Sequence, residues 1–344
     1  MNKRVLITGG AGFIGHTLIH NILKQTNWDV VTIDRLDYSG NLNRLDDILG
    51  DIPKEEKQRL DIIFHDLRAE LNSQICAAIG EVDYILHLAA SSHVDRSIDH
   101  PMEFVMDNVV GTCNILNFAR DQQNLSRFIY FSTDEVFGPA PEGISYVERD
   151  RYNSTNPYSA TKAGAEELCV SYENSYGMPL YITHTMNVFG NRQHPEKYIP
   201  STIRKVRDGN LVTIHSNATK SVAGSRHYIH TSDVSEAILF LLRLSDQGHI
   251  FDTDFGGAKC PKFNLTGKEE VDNLELAKRI AQAVGEELKY EMIDFHSARP
   301  GHDLRYAISG DYLKELGWEP VVSLNERIQQ VVDWSLENDR WLKT

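Results

Sequence analysis

Directly after the apolar run Val5-Leu6-Ile7 stands Thr8-Gly9-Gly10-Ala11-Gly12-Phe13-Ile14-Gly15, followed by the helix-forming stretch His16 to Leu23. A strand, a glycine-rich turn and a helix in that order make the first unit of a parallel, doubly wound sheet. A backbone stripped of side chains can approach a pyrophosphate, and the helix start offers free N–H groups and a favourable dipole. A tight turn that binds nothing has the same spacing, so the surroundings decide. Asp34 closes the next apolar run at about the 20-residue offset where a carboxylate meets the ribose. That favours the free 2′-hydroxyl of NAD over the phosphate of NADP, although Arg35 beside it blurs the choice. Asp66 and Leu67, after the third run, are placed to flank the adenine, and an exposed loop aspartate is the plainer alternative.

Further runs at Val30 to Ile33, Ile62 to Phe64, Tyr84 to Leu88, Phe128 to Phe131 and Tyr181 to Thr185 lack a polar alternate face. Such runs suit parallel strands covered on both faces by crossover helices, which predicts an α/β, Rossmann-type doubly wound sheet. After about Gly190 the rhythm breaks: Pro195, Pro200 and an irregular stretch over 209–226 precede helices near Asp233 to Leu244, Asn273 to Val284 and Leu324 to Leu342. The 344 residues exceed what one core of about 250–300 residues fills, so a second lobe is expected. The reading is a nucleotide domain of 1–187 plus about 227–250, and a smaller mixed α/β lobe of about 188–226 plus 251–344.

Lys and Arg number 35 against 49 Asp and Glu, a net charge of −14, which argues against a nucleic-acid or anionic-membrane surface. No apolar run reaches the roughly 18 residues of a membrane span. The amino terminus has no separate charged, apolar and cleavage regions, so no signal peptide is expected and the cytoplasm is the default location. Cys76, Cys113, Cys169 and Cys260 have neither metal-site nor redox-pair spacing, and reduced thiols and no metal are expected.

Tyr158 and Lys162 stand four apart and share a face on a helix. An ammonium near a phenol lowers its pKa and makes it a usable base. Solvated helix faces carry the same pair often, and only the preceding glycine loop tilts it toward chemistry. The run Phe128 to Phe131 leads through Ser132 and Thr133 into the adjacent acids Asp134 and Glu135. In a doubly wound sheet ligands sit at the carboxyl ends of strands, where these acids emerge; a solvated pair capping the next turn is the other reading. Adjacent carboxyls push their titrations apart, so one can serve as acid and the other as base.

Over nearly its whole length the chain resembles the extended short-chain dehydrogenase/reductases, and within them the TDP-glucose 4,6-dehydratases. The resemblance rests on Thr8 to Gly15, Asp34 to Leu42, Ser92-His93-Val94-Asp95-Arg96-Ser97-Ile98, Thr133-Asp134-Glu135-Val136-Phe137-Gly138, Tyr158 to Lys162 and Arg299-Pro300-Gly301-His302-Asp303-Leu304-Arg305-Tyr306. It implies an NAD-retaining enzyme acting on a nucleoside-diphosphate hexose. Tyr158 would take the proton of the sugar 4-hydroxyl, with Thr133 on the same oxygen. Glu135 would remove the carbon-5 proton and Asp134 protonate the departing 6-hydroxyl. It further implies cofactor contacts from Gly9, Gly12, Phe13, Ile14, Gly15, Asp34, Arg35, Asp66, Leu67, Leu88, Ala89, Ala90, Asn108, Tyr158 and Lys162. Substrate contacts follow for Ser92, His93, Asn187, Glu196, Lys197, Tyr198, Arg226, Asn264, Arg299 and His302. A homodimer pairing helices near Pro101 to Arg120 and Tyr158 to Tyr176 is implied as well.

Three segments depart from the TDP-glucose pattern: Asn187 to His194, Ser91-Ser92, and Ala223 to His230. The base and sugar therefore stay open, with UDP-glucose or UDP-N-acetylglucosamine and a 4,6- or 5,6-elimination as alternatives. A nucleotide-sugar 4-epimerase needs the Tyr-Lys pair without the acids, and an NAD-binding scaffold needs neither.

Overall fold

A computed structural model describes residues 2–249, 260–294 and 304–343. Among these the strands, in chain order, are β1 (Arg4–Thr8), β2 (Asp29–Asp34), β3 (Leu60–Phe64), β4 (Tyr84–His87), β5 (Arg127–Thr133), β6 (Leu180–Thr185), β7 (Asn187–Phe189), β8 (Val212–Ser216), β9 (Ser225–His230), β10 (Lys262–Leu265), β11 (Glu270–Asp272) and β12 (Tyr290–Asp294). Seven form one mostly parallel sheet in the order β10-β6-β5-β4-β1-β2-β3. The order reverses between β1 and β4, which run parallel, and that crevice is where a doubly wound sheet takes its ligand.

Val5, Leu6, Ile7, Val30, Val31, Ile33, Ile85, Leu86, Phe128 and Ile129 all have zero exposure. Consecutive buried residues mean that both faces are covered, as the unalternating runs predict. β3 is the exception. It pairs with β2 and ends the sheet, so Phe64 is 59% exposed and Ile62 37%.

The chain divides into two compact units: Met1–Val136 with Asn156–His184 and Ser235–Phe263, and Phe137–Thr155 with Thr185–Val234 and Asn264–Thr344. The second unit has a three-stranded sheet, β11-β9-β7, and a two-stranded one, β12-β8. Its core includes Phe189, Ile203, Tyr228, Leu276, Ile280, Ile328 and Val332. The irregular stretch expected over 209–226 is corrected here, since it contains β8 and the start of β9. Val212, Ile214 and Ser216 turn inward in alternation, and β8 pairs in parallel with β12, a partner too distant in sequence to leave a local signal.

The helix Pro157–Tyr176 starts on an Asn156 cap with proline in its first turn, and stops at Gly177, whose φ of +67° a side chain would resist. Among the described residues no helix is long and apolar enough to cross a membrane.

Candidate active site

The glycine loop is closed on itself. Gly12 N–H donates to Gly9 C=O at 3.0 Å, and a β-carbon on Gly15 would stand 2.3 Å from that same oxygen. Gly9, at φ +76°, lies so near the backbone of Ala89 that a β-carbon would come within 3.1 Å. Only bare backbone fits, and the helix Gly15–Gln25 opens at this cradle with Phe13 and Ile14 half-buried before it. At the end of β2 the Asp34 carboxylate accepts N–H bonds from Ala11 at 3.1 Å and Leu36 at 2.8 Å, and burial pushes its pKa up. A carboxylate has further lone pairs to offer a ribose diol. The donor set fits a dinucleotide.

Arg35 is committed elsewhere. Its fork meets Asp107 at 2.5 and 2.8 Å, its Nε meets Asp37 at 2.7 Å, and Asp66 lies 3.5 Å away. The hydrogen bonds to Asp107 lead in raising its pKa above the ordinary arginine value. For Asp66, burial is outweighed by Arg68 and Arg35, which hold it at about 2. Leu67 is buried, and its carbonyl accepts from Asn114 at 2.7 Å.

Beneath the loop runs a buried polar relay. Thr8 Oγ1 bonds His87 Nδ1 at 2.7 Å, His87 Nε2 meets Thr112 Oγ1 at 2.9 Å, and Thr112 donates to the Asn108 carbonyl at 2.6 Å. Asn108 sits in a π-helical turn and donates to Thr161 Oγ1 and to Ser91 C=O, each at 3.0 Å. Thr161 in turn donates to the Tyr158 carbonyl at 2.8 Å. Burial, helped by Lys162, pushes His87 down to about 3 and keeps it neutral. The N–H groups of Leu88 and Ala89 both donate to Thr8 Oγ1 at 3.1 Å, with Ala90 half-buried after them.

β5 ends at Thr133, and a 3-10 turn, Asp134–Phe137, carries the acids. Thr133 Oγ1 donates to Asp134 Oδ1 at 3.1 Å and accepts the Glu135 N–H at 3.3 Å. Thr133 and Asp134 are buried and Glu135 half-buried. Tyr158 is hydrogen-bonded to Thr133, so the helix and the end of β5 meet at this point.

The expectation that Lys162 lowers the Tyr158 pKa is corrected. Burial pushes the phenol above its ordinary value and Glu135 adds to this, against the Thr133 bond. The Lys162 ammonium lies 4.3 Å above the Tyr130 ring, and burial, partly offset by Glu166, lowers it to about 8.

Glu166, one turn beyond Lys162, carried no recognised signal, yet it is fully buried. It accepts the Ser132 hydroxyl and has His184 Nε2 at 3.3 Å and Lys262 Nζ at 3.5 Å. Burial alone would raise this carboxyl, but those partners hold it down at about 2. Asn156, Thr112 and His87 were also missed; only the Asn-Pro pair before Tyr158, an N-cap signal, could have drawn attention.

In the first unit Ser92 is exposed, and His93 caps the helix Val94–Asp99. In the second unit Asn187, Glu196 and Lys197 are exposed, and Tyr198 donates its hydroxyl to the Asn273 carbonyl at 2.5 Å. Arg226 lies 4.6 Å over the Tyr306 ring and donates to the Ser225 and Leu304 carbonyls, each at 2.6 Å. Asn264 is fully buried, its amide on the Tyr146 carbonyl at 3.1 Å and its N–H on Glu148 at 2.9 Å. Arg299 and His302 lie outside the described residues. Among the described residues no group of three His, Cys, Asp or Glu side chains could hold a metal ion.

Residues 6–331 match the family model described as GDP-mannose 4,6 dehydratase. The low-salt glycan biosynthesis protein Agl12 of Haloferax volcanii is 37% identical over 97% of this chain and 99% of its own. A dTDP-glucose 4,6-dehydratase of Salmonella typhimurium is 33% identical over 98% and 94%. The crystal structure of a Streptomyces venezuelae dTDP-glucose 4,6-dehydratase with NAD bound superposes with a TM-score of 0.82 at 32% identity, over 99% of each chain. With its sheet order, glycine cradle and acid-bearing turn, the chain belongs to the GDP-mannose 4,6-dehydratase family, the nucleotide-sugar dehydratases of the extended short-chain dehydrogenase/reductases.

Proposed function

We propose that this protein is an NAD-dependent dehydratase that converts a nucleoside-diphosphate hexose, dTDP-glucose first among candidates, to its 4-keto-6-deoxy form. The observation that carries the reading is the turn where Thr133, Asp134 and Glu135 meet Tyr158, two carboxyls beside a phenol at the carboxyl end of β5. NAD, when bound, supplies a hydride acceptor at carbon 4 and a hydride donor at carbon 6. Gly9, Gly12 and Gly15 would admit its pyrophosphate and Asp34 its ribose, with Phe13, Ile14, Asp66, Leu67, Leu88, Ala89, Ala90 and Asn108 around it.

Tyr158, bonded to Thr133 at its phenol oxygen, would take the proton of the sugar 4-hydroxyl, with Thr133 on the same substrate oxygen. Loss of that proton, together with the carbon-4 hydride that bound NAD would accept, leaves a ketone at carbon 4, which acidifies carbon 5. Glu135 takes the carbon-5 proton, and Asp134 gives one to the 6-hydroxyl as it leaves as water. Lys162, over the Tyr130 ring and attracted by Glu166, supplies positive charge on the helix that carries Tyr158. A substrate diphosphate calls for cations, and Arg226 with Lys197 are those we assign, together with Ser92, His93, Asn187, Glu196 and Tyr198. Asn264 serves as a scaffold tie for the same unit. Met102, Met106 and Tyr176, exposed on the helices expected to pair, support a homodimer.

Incubation with TDP-, UDP-, CDP- and GDP-hexoses, read by mass spectrometry, tests the reading through loss of one water. An isomeric product of unchanged mass would instead make the protein a 4-epimerase. Asp134→Asn and Glu135→Gln should each retain NAD and lower turnover at least about 100-fold.

A further inference from the structure

The residue ahead of Pro157 touches both halves of the reacting cluster. Asn156 is 5% exposed, and its side-chain amide is used at both ends. Oδ1 accepts the Ser159 N–H at 2.8 Å, capping the helix, and Nδ2 donates to Glu135 Oε2 at 3.1 Å. Ser159 Oγ completes the capping box by accepting the Asn156 N–H at 3.4 Å. The amide has no freedom to flip, because only its oxygen can accept from the helix and only its nitrogen can donate to a carboxylate. Its backbone is extended, at φ −145° and ψ 162°, and the proline that follows disfavours a helical alternative.

We propose that Asn156 is a positioning residue for Glu135, a rigid bracket that fixes the carboxylate at a set offset from Tyr158, two residues further along. The inference rests on the role of Glu135 proposed above. A glutamate has three rotatable side-chain bonds, and proton abstraction from carbon tolerates misplacement of only a fraction of an ångström. The cap bond anchors one end of the amide to the helix that carries Tyr158. The other end therefore transmits that helix's position directly to the base. Other N-cap residues do not combine these properties. Serine caps equally well but is shorter and lacks the amide nitrogen. Aspartate caps equally well and sets a second carboxylate against the first.

The test uses the full-length, NAD-loaded protein carrying Asn156→Ser, Asn156→Asp or Glu135→Gln. Turnover, KM, NAD content, melting temperature and the pH profile of kcat are recorded for each. Asn156→Ser should lower kcat about 10- to 100-fold with KM, NAD content and melting close to the parent. Asn156→Asp should lower kcat at least as much and move the acid limb of its profile upward by about one pH unit. Glu135 already faces Asp134 on its own turn and Tyr158 on the helix, and a further anion makes it hold its proton to higher pH. Parental kcat with an unmoved profile in Asn156→Asp overturns the proposal. So does a loss of kcat matched by losses of NAD and melting temperature, which makes Asn156 a cap and nothing more. If Glu135→Gln still turns over, the role of Glu135 itself falls; if it is dead while both Asn156 variants are normal, only the bracket does.

Discussion

Replacing Glu166 by glutamine keeps the side chain's size and removes its charge, which isolates what the buried carboxylate contributes. Its partners, His184, Lys262 and Ser132, hold it at about 2 against an ordinary 4.5. At about 1.4 kcal/mol per pH unit, that fall corresponds to roughly 3 kcal/mol of stability near neutral pH. Because the folded value is depressed, the contribution is complete above about pH 4.5 and is lost as the pH falls from there toward about 2. Glu166→Gln should therefore melt about 6–12 °C lower at pH 7, taking about 2–4 °C per kcal/mol for a unit of this size. The informative quantity is the gap between parent and variant, followed by calorimetry or circular dichroism from pH 7 down to 3. It should narrow as the acid limb is entered, since the parent loses what the variant never had. A gap below about 0.5 kcal/mol at pH 7, or one that widens on acidification, would refute the reasoning.

Gly15→Ala places a β-carbon 2.3 Å from one backbone oxygen and 2.8 Å from the α-carbon of Gly10, so the loop must move; NAD affinity, by fluorescence titration, should drop at least about 10-fold. Asp34→Ala should weaken NAD about 10-fold without admitting NADP, because the Arg35 fork is held by Asp107; adding Asp107→Asn should raise relative NADP affinity in the same titration. Asp272 accepts the N–H groups of Leu274 and Glu275, both at 2.9 Å, at the start of the helix Asn273–Val284. Asp272→Ala should cost about 1 kcal/mol in a urea melt, and a neutral result would discount that cap.

What was legible in the sequence is local. The glycine cradle, the buried strands and the turn bearing Asp134 and Glu135 announce themselves within a few residues, because steric need and apolar patterning act over that range. The shape of the second unit was less legible, since β8 depends on a partner strand 74 or more residues along the chain. Spacing put Tyr158 and Lys162 on one face but not the sign of their electrostatics, which burial and the neighbouring Glu135 and Glu166 determine. Arg35 looked ambiguous beside Asp34 until Asp107, from another element, took its fork. His87 and Glu166 could not be singled out, because a buried histidine or glutamate declares itself only through neighbours that the fold supplies.

The hydrogen-bonded line from Thr8 through His87, Thr112 and Asn108 to Thr161 leaves little room for independent drift at any of its members. Each hydroxyl or imidazole donates one way and accepts the other, so reversing a single polarity would strand a proton in the interior. Related chains should therefore exchange these residues in matched sets or not at all. The floor of the nucleotide pocket and the helix bearing the tyrosine would then change in step, even where no ligand atom reaches either one.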